Sequence, residues 1–199
     1  MNLLIDSLPK KILIDDEEYS IRWDFRVGIL YELLMLDEDV EGAEKPLLAL
    51  RLFYPKIPKN WEMALEAIQW FYRAGESEKA SYLKRNNKKQ DKIYSFEHDA
   101  SYIYSAFLEQ YGMDLTLEKQ LHWWKFRALF QGIREDTTFC KIMGYRSMEI
   151  SESMEKEQRE FYRRMKALYR IPTSKGEEEK LFAIENVLLS GGDLTGLLL

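Results

Sequence analysis

Residues 60–75 read NWEMALEAIQWFYRAG, and this stretch decides the fold class. Trp61, Ala64, Leu65, Ile68, Phe71 and Tyr72 recur at the i, i+3, i+4, i+7 spacing that gathers side chains on one face of an α-helix. Asn60 is a good N-cap, because its side chain can accept one of the free N–H groups of the first turn. Gly75 fits a C-terminal cap. The same grammar repeats on both sides, so the chain is expected to be mainly α: an irregular multi-helix bundle with a short N-terminal β-hairpin.

Toward the N-terminus, a segment from Pro46 to Tyr54 stops at Pro55 and Pro58, since proline blocks helix continuation. Before it, Asp24 can cap a helix through Phe25, Ile29, Leu30, Leu33, Leu34 and Leu36, with Gly42 at or after its end. Lys11–Ile14 and Tyr19–Trp23 alternate around Asp15-Asp16-Glu17-Glu18 and predict a hairpin over 10–23 with a four-residue turn. A lone hairpin is marginal in water and must pack on helices.

Toward the C-terminus, Ala100, Ile103, Tyr104, Phe107, Leu108 and Tyr111 predict a helix closed by Gly112. Asp114 or Thr116 then opens another, with Leu117, Leu121, Trp124 and Ala128 on one stripe and Trp123, Phe126 and Phe130 on a second. A helix apolar on two faces is expected at the centre of its bundle. A shorter piece spans Asp136 to Met143, ended by Gly144. A longer one spans about Glu149 to Tyr169, with Ile150, Met154, Phe161, Met165 and Leu168 on one side, stopped by Pro172. A last helix begins at the capping box Ser174-Lys175-Gly176-Glu177. The expected organisation is a helical domain over 1–170 and a C-terminal helical segment over 171–199.

Composition narrows the function. A net charge of −5 lacks the footprint of a general nucleic-acid binder. The run Lys84, Arg85, Lys88, Lys89, Lys92 is the best exception, but only Tyr82 and Tyr94 flank it, and it reads as a solvated loop. Cys140 is the only cysteine, which rules out an intramolecular disulfide and fits a reducing compartment. The N-terminus lacks a basic lead followed by an apolar run, so no signal peptide is expected. The longest apolar run, Val27 to Leu36, contains Glu32 and is too short to span a bilayer.

No reactive constellation emerges. His122 follows Glu118 by four residues, on the same helical face, but a helical di-iron site needs two Glu-x-x-His motifs and none occurs. His122 is therefore read as a half-buried polar residue beside Trp123. Cys140, between Phe139 and Ile142, is expected to be buried and unreactive. No phosphate loop or dinucleotide fingerprint is present, so neither metal nor cofactor is implied. An enzyme built on His98, His122 and Cys140 is the weakest class. The C-terminal segment is more suggestive. Leu181, Phe182, Ile184, Leu188 and Leu189 form an apolar face, either covering the core or offered to a partner protein as a helix in a groove.

The segment order resembles the bacteriophage gene-product-fifteen family of tail proteins. Carrying the resemblance are Trp23-Asp24-Phe25-Arg26, then Ala67-Ile68-Gln69-Trp70-Phe71-Tyr72 with Gly75, then Tyr94-Ser95-Phe96-Glu97-His98-Asp99. Tyr102-Ile103-Tyr104-Ser105-Ala106-Phe107, Tyr111-Gly112 and Leu121-His122-Trp123-Trp124-Lys125-Phe126 follow. The match covers residues 10 to about 170. These are packing patterns, so their specificity lies in their joint order, and no catalytic residue is carried over. The resemblance implies a tail assembly chaperone of long-tailed phages, working in the host cytoplasm. Its partners would be the tape measure protein, the tail tube protein and further copies of itself, with neither nucleic acid nor membrane. A structural component of the virion tail is the alternative.

Overall fold

Two aspartates set the first turn. Asp15 and Asp16 both take positive φ, 48° and 61°, in the computed structural model, which describes residues 2–76 and 93–172. Two consecutive left-handed residues make the tight turn whose twist suits a two-residue hairpin, and Asp tolerates that conformation better than most residues. Strand β1, Lys11–Ile14, therefore pairs antiparallel with β2, Glu17–Ser20, with Ile14 opposite Glu17. The expected four-residue turn is corrected to two residues, since Glu17 and Glu18 already belong to the ladder. Ile21 and Trp23 lie beyond the strand that was to hold them.

Seven helices follow among the described residues, so the chain is mainly α with this one short hairpin. They are α1 Phe25–Leu36, α2 Lys45–Phe53, α3 Trp61–Tyr72, α4 Ala100–Tyr111, α5 Trp123–Gln131, α6 Thr138–Ser147 and α7 Lys156–Leu168. Asp24 caps α1 by accepting from the Arg26 N–H. Pro46 sits in the first turn of α2, where its missing N–H costs nothing. Asn60 caps α3 by accepting from the Met63 N–H at 3.2 Å, and its amide donates to Asp15 Oδ1 at 3.2 Å, tying the helix to the hairpin turn. The end of α3 is a Schellman motif: Ala74 N–H donates to Phe71 O and Gly75 N–H to Trp70 O. The left-handed cap position is held by Ala74 at φ 57°, with Gly75 next at 76°.

The described residues divide into two compact units. The first draws on Met1–Lys88 and Phe107–Ile133. It is built on rings: Phe126 stacks on Phe25 at 4.9 Å and on Phe107 at 5.1 Å, and Trp123 stacks on Tyr72 at 5.2 Å. Buried indoles need a partner for their N–H. Trp123 Nε1 donates to Tyr72 O at 2.8 Å, and Trp124 Nε1 to Phe71 O at 2.7 Å. These bonds satisfy carbonyls at the end of α3, so α5 is seated against it. Tyr54 is similarly buried, its hydroxyl donating to Ala64 O at 3.1 Å, and burial pushes its pKa up to about 12. Gly28 lets α1 approach α5, since a Cβ there would lie 2.2 Å from the Trp123 ring.

The second unit draws on Lys89–Ala106 and Arg134–Leu199. Among its described residues Phe96, Ile103, Ala106, Phe139 and Ile142 are the buried apolar ones. A polar clamp joins them. Arg146 holds Asp99 in a two-pronged pair at 2.6 and 2.8 Å, donates to Ile93 O at 3.0 Å, and also donates to Tyr169 O. Asp99 further accepts the Ser95 N–H at 2.9 Å.

Several boundaries differ from expectation. The helix expected from Asp114 or Thr116 begins only at Trp123, because Asp114 spends its carboxylate on a local turn, accepting from both Thr116 N–H and Thr116 Oγ1. Leu117 is consequently exposed, and Leu121 is buried from outside the helix. Gly144 does not end α6. The helix starts later, at Thr138 with Thr137 as cap, and runs through the glycine to Ser147. Helix α7 begins at Lys156, not about Glu149, so Ile150 and Met154 precede it, and none of its residues is buried. Trp61 and Leu108 are exposed, not part of the inward stripes.

Candidate protein-interaction surface

Helix α1 has the composition of a buried helix, yet three of its large apolar side chains are exposed. Its sequence, FRVGILYELLML, carries only two charges, and both are engaged. Arg26 pairs with Asp24 at 3.2 Å and donates to Leu115 O at 2.8 Å, while Glu32 accepts from the Tyr72 hydroxyl. Only Phe25 and Gly28 are buried. At 3.6 residues per turn, Phe25, Gly28 and Glu32 share the inward side and Leu30 lies on the opposite one, flanked by the partly buried Val27 and Leu34. Leu30 is 50% exposed, and Met35 and Leu36 at the end of the helix are 37% and 46% exposed. A helix apolar all round is normally enclosed. Leaving three large side chains about half in water forgoes roughly 1 kcal/mol each.

The starts of α1 and α5 are fastened together. Phe25 N–H donates to Leu121 O at 3.0 Å and Trp123 N–H to Trp23 O at 2.9 Å, an isolated antiparallel bridge between Asp24 and His122. His122 is the N-cap of α5, an uncommon role for imidazole. Its Nδ1 accepts the Trp124 N–H at 3.1 Å, which places the proton on Nε2, and Nε2 donates to Pro9 O at 3.0 Å. The ring stacks on Trp23 at 5.7 Å. Burial drives its pKa below the ordinary 6.5; the bond to Pro9 opposes this, and the charges of Lys10 and Lys125 reinforce it. At 3% exposure His122 is fully buried, not half-buried, because both ring nitrogens have backbone partners. It also precedes α5, so it shares no helical face with Glu118.

The other residues singled out in the sequence take separate places. His98 and Cys140 belong to the second unit, His122 to the first. Cys140 is only partly buried, since the tight packing falls on its neighbours Phe139 and Ile142. Among the described residues no three His, Cys, Asp or Glu side chains gather as metal ligands would, and no helix is long and apolar enough to cross a membrane. Leu181, Phe182, Ile184, Leu188 and Leu189 lie outside the described residues, as does the basic run Lys84 to Lys92. The exposed face of α1 was missed by sequence reasoning, which placed Leu30 and Leu36 in a helix and weighed Val27 to Leu36 as a membrane span without asking which side stayed in water. The available signal was an apolar helix with no polar face.

A family model described as Bacteriophage Gp15 protein matches residues 4–171. No curated protein and no solved structure matches the chain.

Proposed function

Since the chain belongs to the Bacteriophage Gp15 protein family, and so to the structural or assembly proteins of phages, we propose that it is a tail assembly chaperone that binds the tape measure protein. The observation that carries this reading is the apolar face that α1 leaves exposed at Leu30, Met35 and Leu36. A tape measure chain is long and helix-rich, and exposes apolar helical faces until tube subunits close around it. An apolar helix face on an acidic, well-charged chain can cover such a surface while keeping the complex soluble. The role asks for no catalysis and places the protein in the host cytoplasm during assembly.

The test is co-expression with the tape measure protein of the same phage. The expected result is a recoverable complex and more soluble tape measure. Leu30→Asp with Leu36→Asp, both exposed, should abolish recovery while the melting temperature holds. Unchanged solubility with no complex overturns the reading. Phe182→Asp and Leu188→Asp separate the α1 face from the C-terminal apolar face: loss of binding only in the latter pair would move the contact there. Mass spectrometry of purified particles distinguishes a chaperone, which should be absent, from a structural tail component.

A further inference from the structure

A cavity of about 810 Å³ opens beside the joined starts of α1 and α5, lined by Leu8, Trp23, His122, Lys10 and Lys125 among others. Its lining has a positive excess, with Lys10, Lys11 and Lys125 against one carboxylate. Lys10 and Lys125 form no ion pair among the described residues, and the Lys10 ammonium sits over the Trp23 ring, 4.5 Å from its centroid. Lys11, also at the rim, is paired with Glu18 at 2.7 Å. Asp6 is the one carboxylate of the lining, and it accepts the Asn2 backbone N–H at 2.6 Å.

The arrangement is locally unfavourable. Lys125 is the third residue of α5, in the first turn, where the helix dipole favours an acid and disfavours a cation. No acid occupies the first turn of either α1 or α5. Two lysines of one sign thus face a buried imidazole and a helix N-terminus, in a chain whose net charge is −5 and which has acids to spare. A ligand that brings negative charge relieves this concentration; a neutral one does not.

We propose that this cavity binds a carboxylate-bearing peptide segment of a partner protein, with Lys10 and Lys125 receiving the carboxylates and Leu8 and Trp23 receiving the apolar side chains beside them. The charge complementarity is local, which selects a short acidic segment. A long polyanion such as a nucleic acid would extend past the cavity onto an acidic molecule and be repelled. The inference deepens the view of the chain as a protein binder. It is tested without any phage component, so its failure and that of tape measure capture are separable.

The probe is a fluorescein-labelled heptapeptide alternating leucine with pairs of glutamates, measured by anisotropy against the full chain; its twin has glutamine for every glutamate. The acidic peptide should bind at least about tenfold more tightly than its twin, with an affinity that falls as salt rises. Lys10→Gln with Lys125→Gln should remove that preference. Lys56→Gln with Lys59→Gln, which changes the same charge elsewhere on the exposed surface, should leave it intact. Circular dichroism melts confirm that each variant is folded. Equal affinity for the two peptides, no binding of either, or full affinity in the Lys10/Lys125 variant overturns the proposal. So does displacement of the acidic peptide by a single-stranded thymidine oligonucleotide at lower concentration than by unlabelled peptide.

Discussion

The two units hold their helices together with different weights of ring packing and ion pairing. In the first, the contacts are rings: Phe25, Phe107, Phe126, Trp123 and Tyr72 in stacked succession, with indole N–H groups tied to the end of α3. In the second, one guanidinium reaches Ile93, Asp99 and Tyr169, a smaller set of rings joins Tyr145 to Phe161 and Tyr169, and α7 buries none of its residues. Ring packing removes large apolar area from water and is indifferent to salt. A buried ion pair offsets its own desolvation only while both partners are present. The difference teaches that helix content alone says little about where such a chain is robust.

The comparison breaks or sharpens at specific residues. The largest effect is expected at Phe126, which touches Phe25, Phe107, Trp123 and Phe130. Phe126→Ala should cost about 3–5 kcal/mol of unfolding free energy in urea. The readout is direct, because all five tryptophans lie in the first unit. A cost under ~1 kcal/mol would mean that the ring succession is not what holds the unit.

Next comes Arg146→Met, which strands Asp99 at 1% exposure and should cost ~3 kcal/mol. Adding Asp99→Leu should recover most of it, since the uncompensated charge is then gone. Amide exchange of residues 138–147 reports both variants. No recovery in the double variant would show that the guanidinium's bonds to Ile93 O and Tyr169 O, not the pair itself, carry the stability.

A smaller effect belongs to pH. His122 is neutral in the folded chain, its pKa held below 6.5 chiefly by burial. The unfolded chain therefore takes up a proton first as pH falls. The contribution is fully present above about pH 6.5, and is lost as pH drops through the folded value, at no more than about 1.4 kcal/mol per unit. His122→Gln should flatten this part of the melting profile monitored by tryptophan fluorescence. An unaltered slope would assign the dependence to other groups. The smallest effect is expected at Phe161, 45% exposed on α7: Phe161→Ala should change stability by less than ~1 kcal/mol, measured by thermal melts.

Much of the fold was legible because its punctuation is local. Asp24 and Asn60 cap the helices they were expected to cap, and Pro46 and Pro55 bracket α2. Several failures share one cause: a residue with two local uses took the less common one. Asp114 could have opened a helix and instead closed a turn on Thr116, while His122, no usual cap, did the capping. Gly144 could have stopped α6, but nothing lies within 4 Å of where its Cβ would be and its backbone stays helical. The Asp15-Asp16 turn carries no glycine, so its length could not be read from composition. The candidate surface on α1 was hidden differently. Val27 to Leu36 announces burial, and only the folded chain shows Leu30 facing outward.

The close approach at Gly28 carries an implication for how sequences of this fold can diverge. Because any side chain there would overlap the Trp123 indole, the two positions share a single volume. A lineage that gains an alanine or serine at position 28 must shrink the ring at position 123 in step, so the two columns of a future alignment should vary together or not at all.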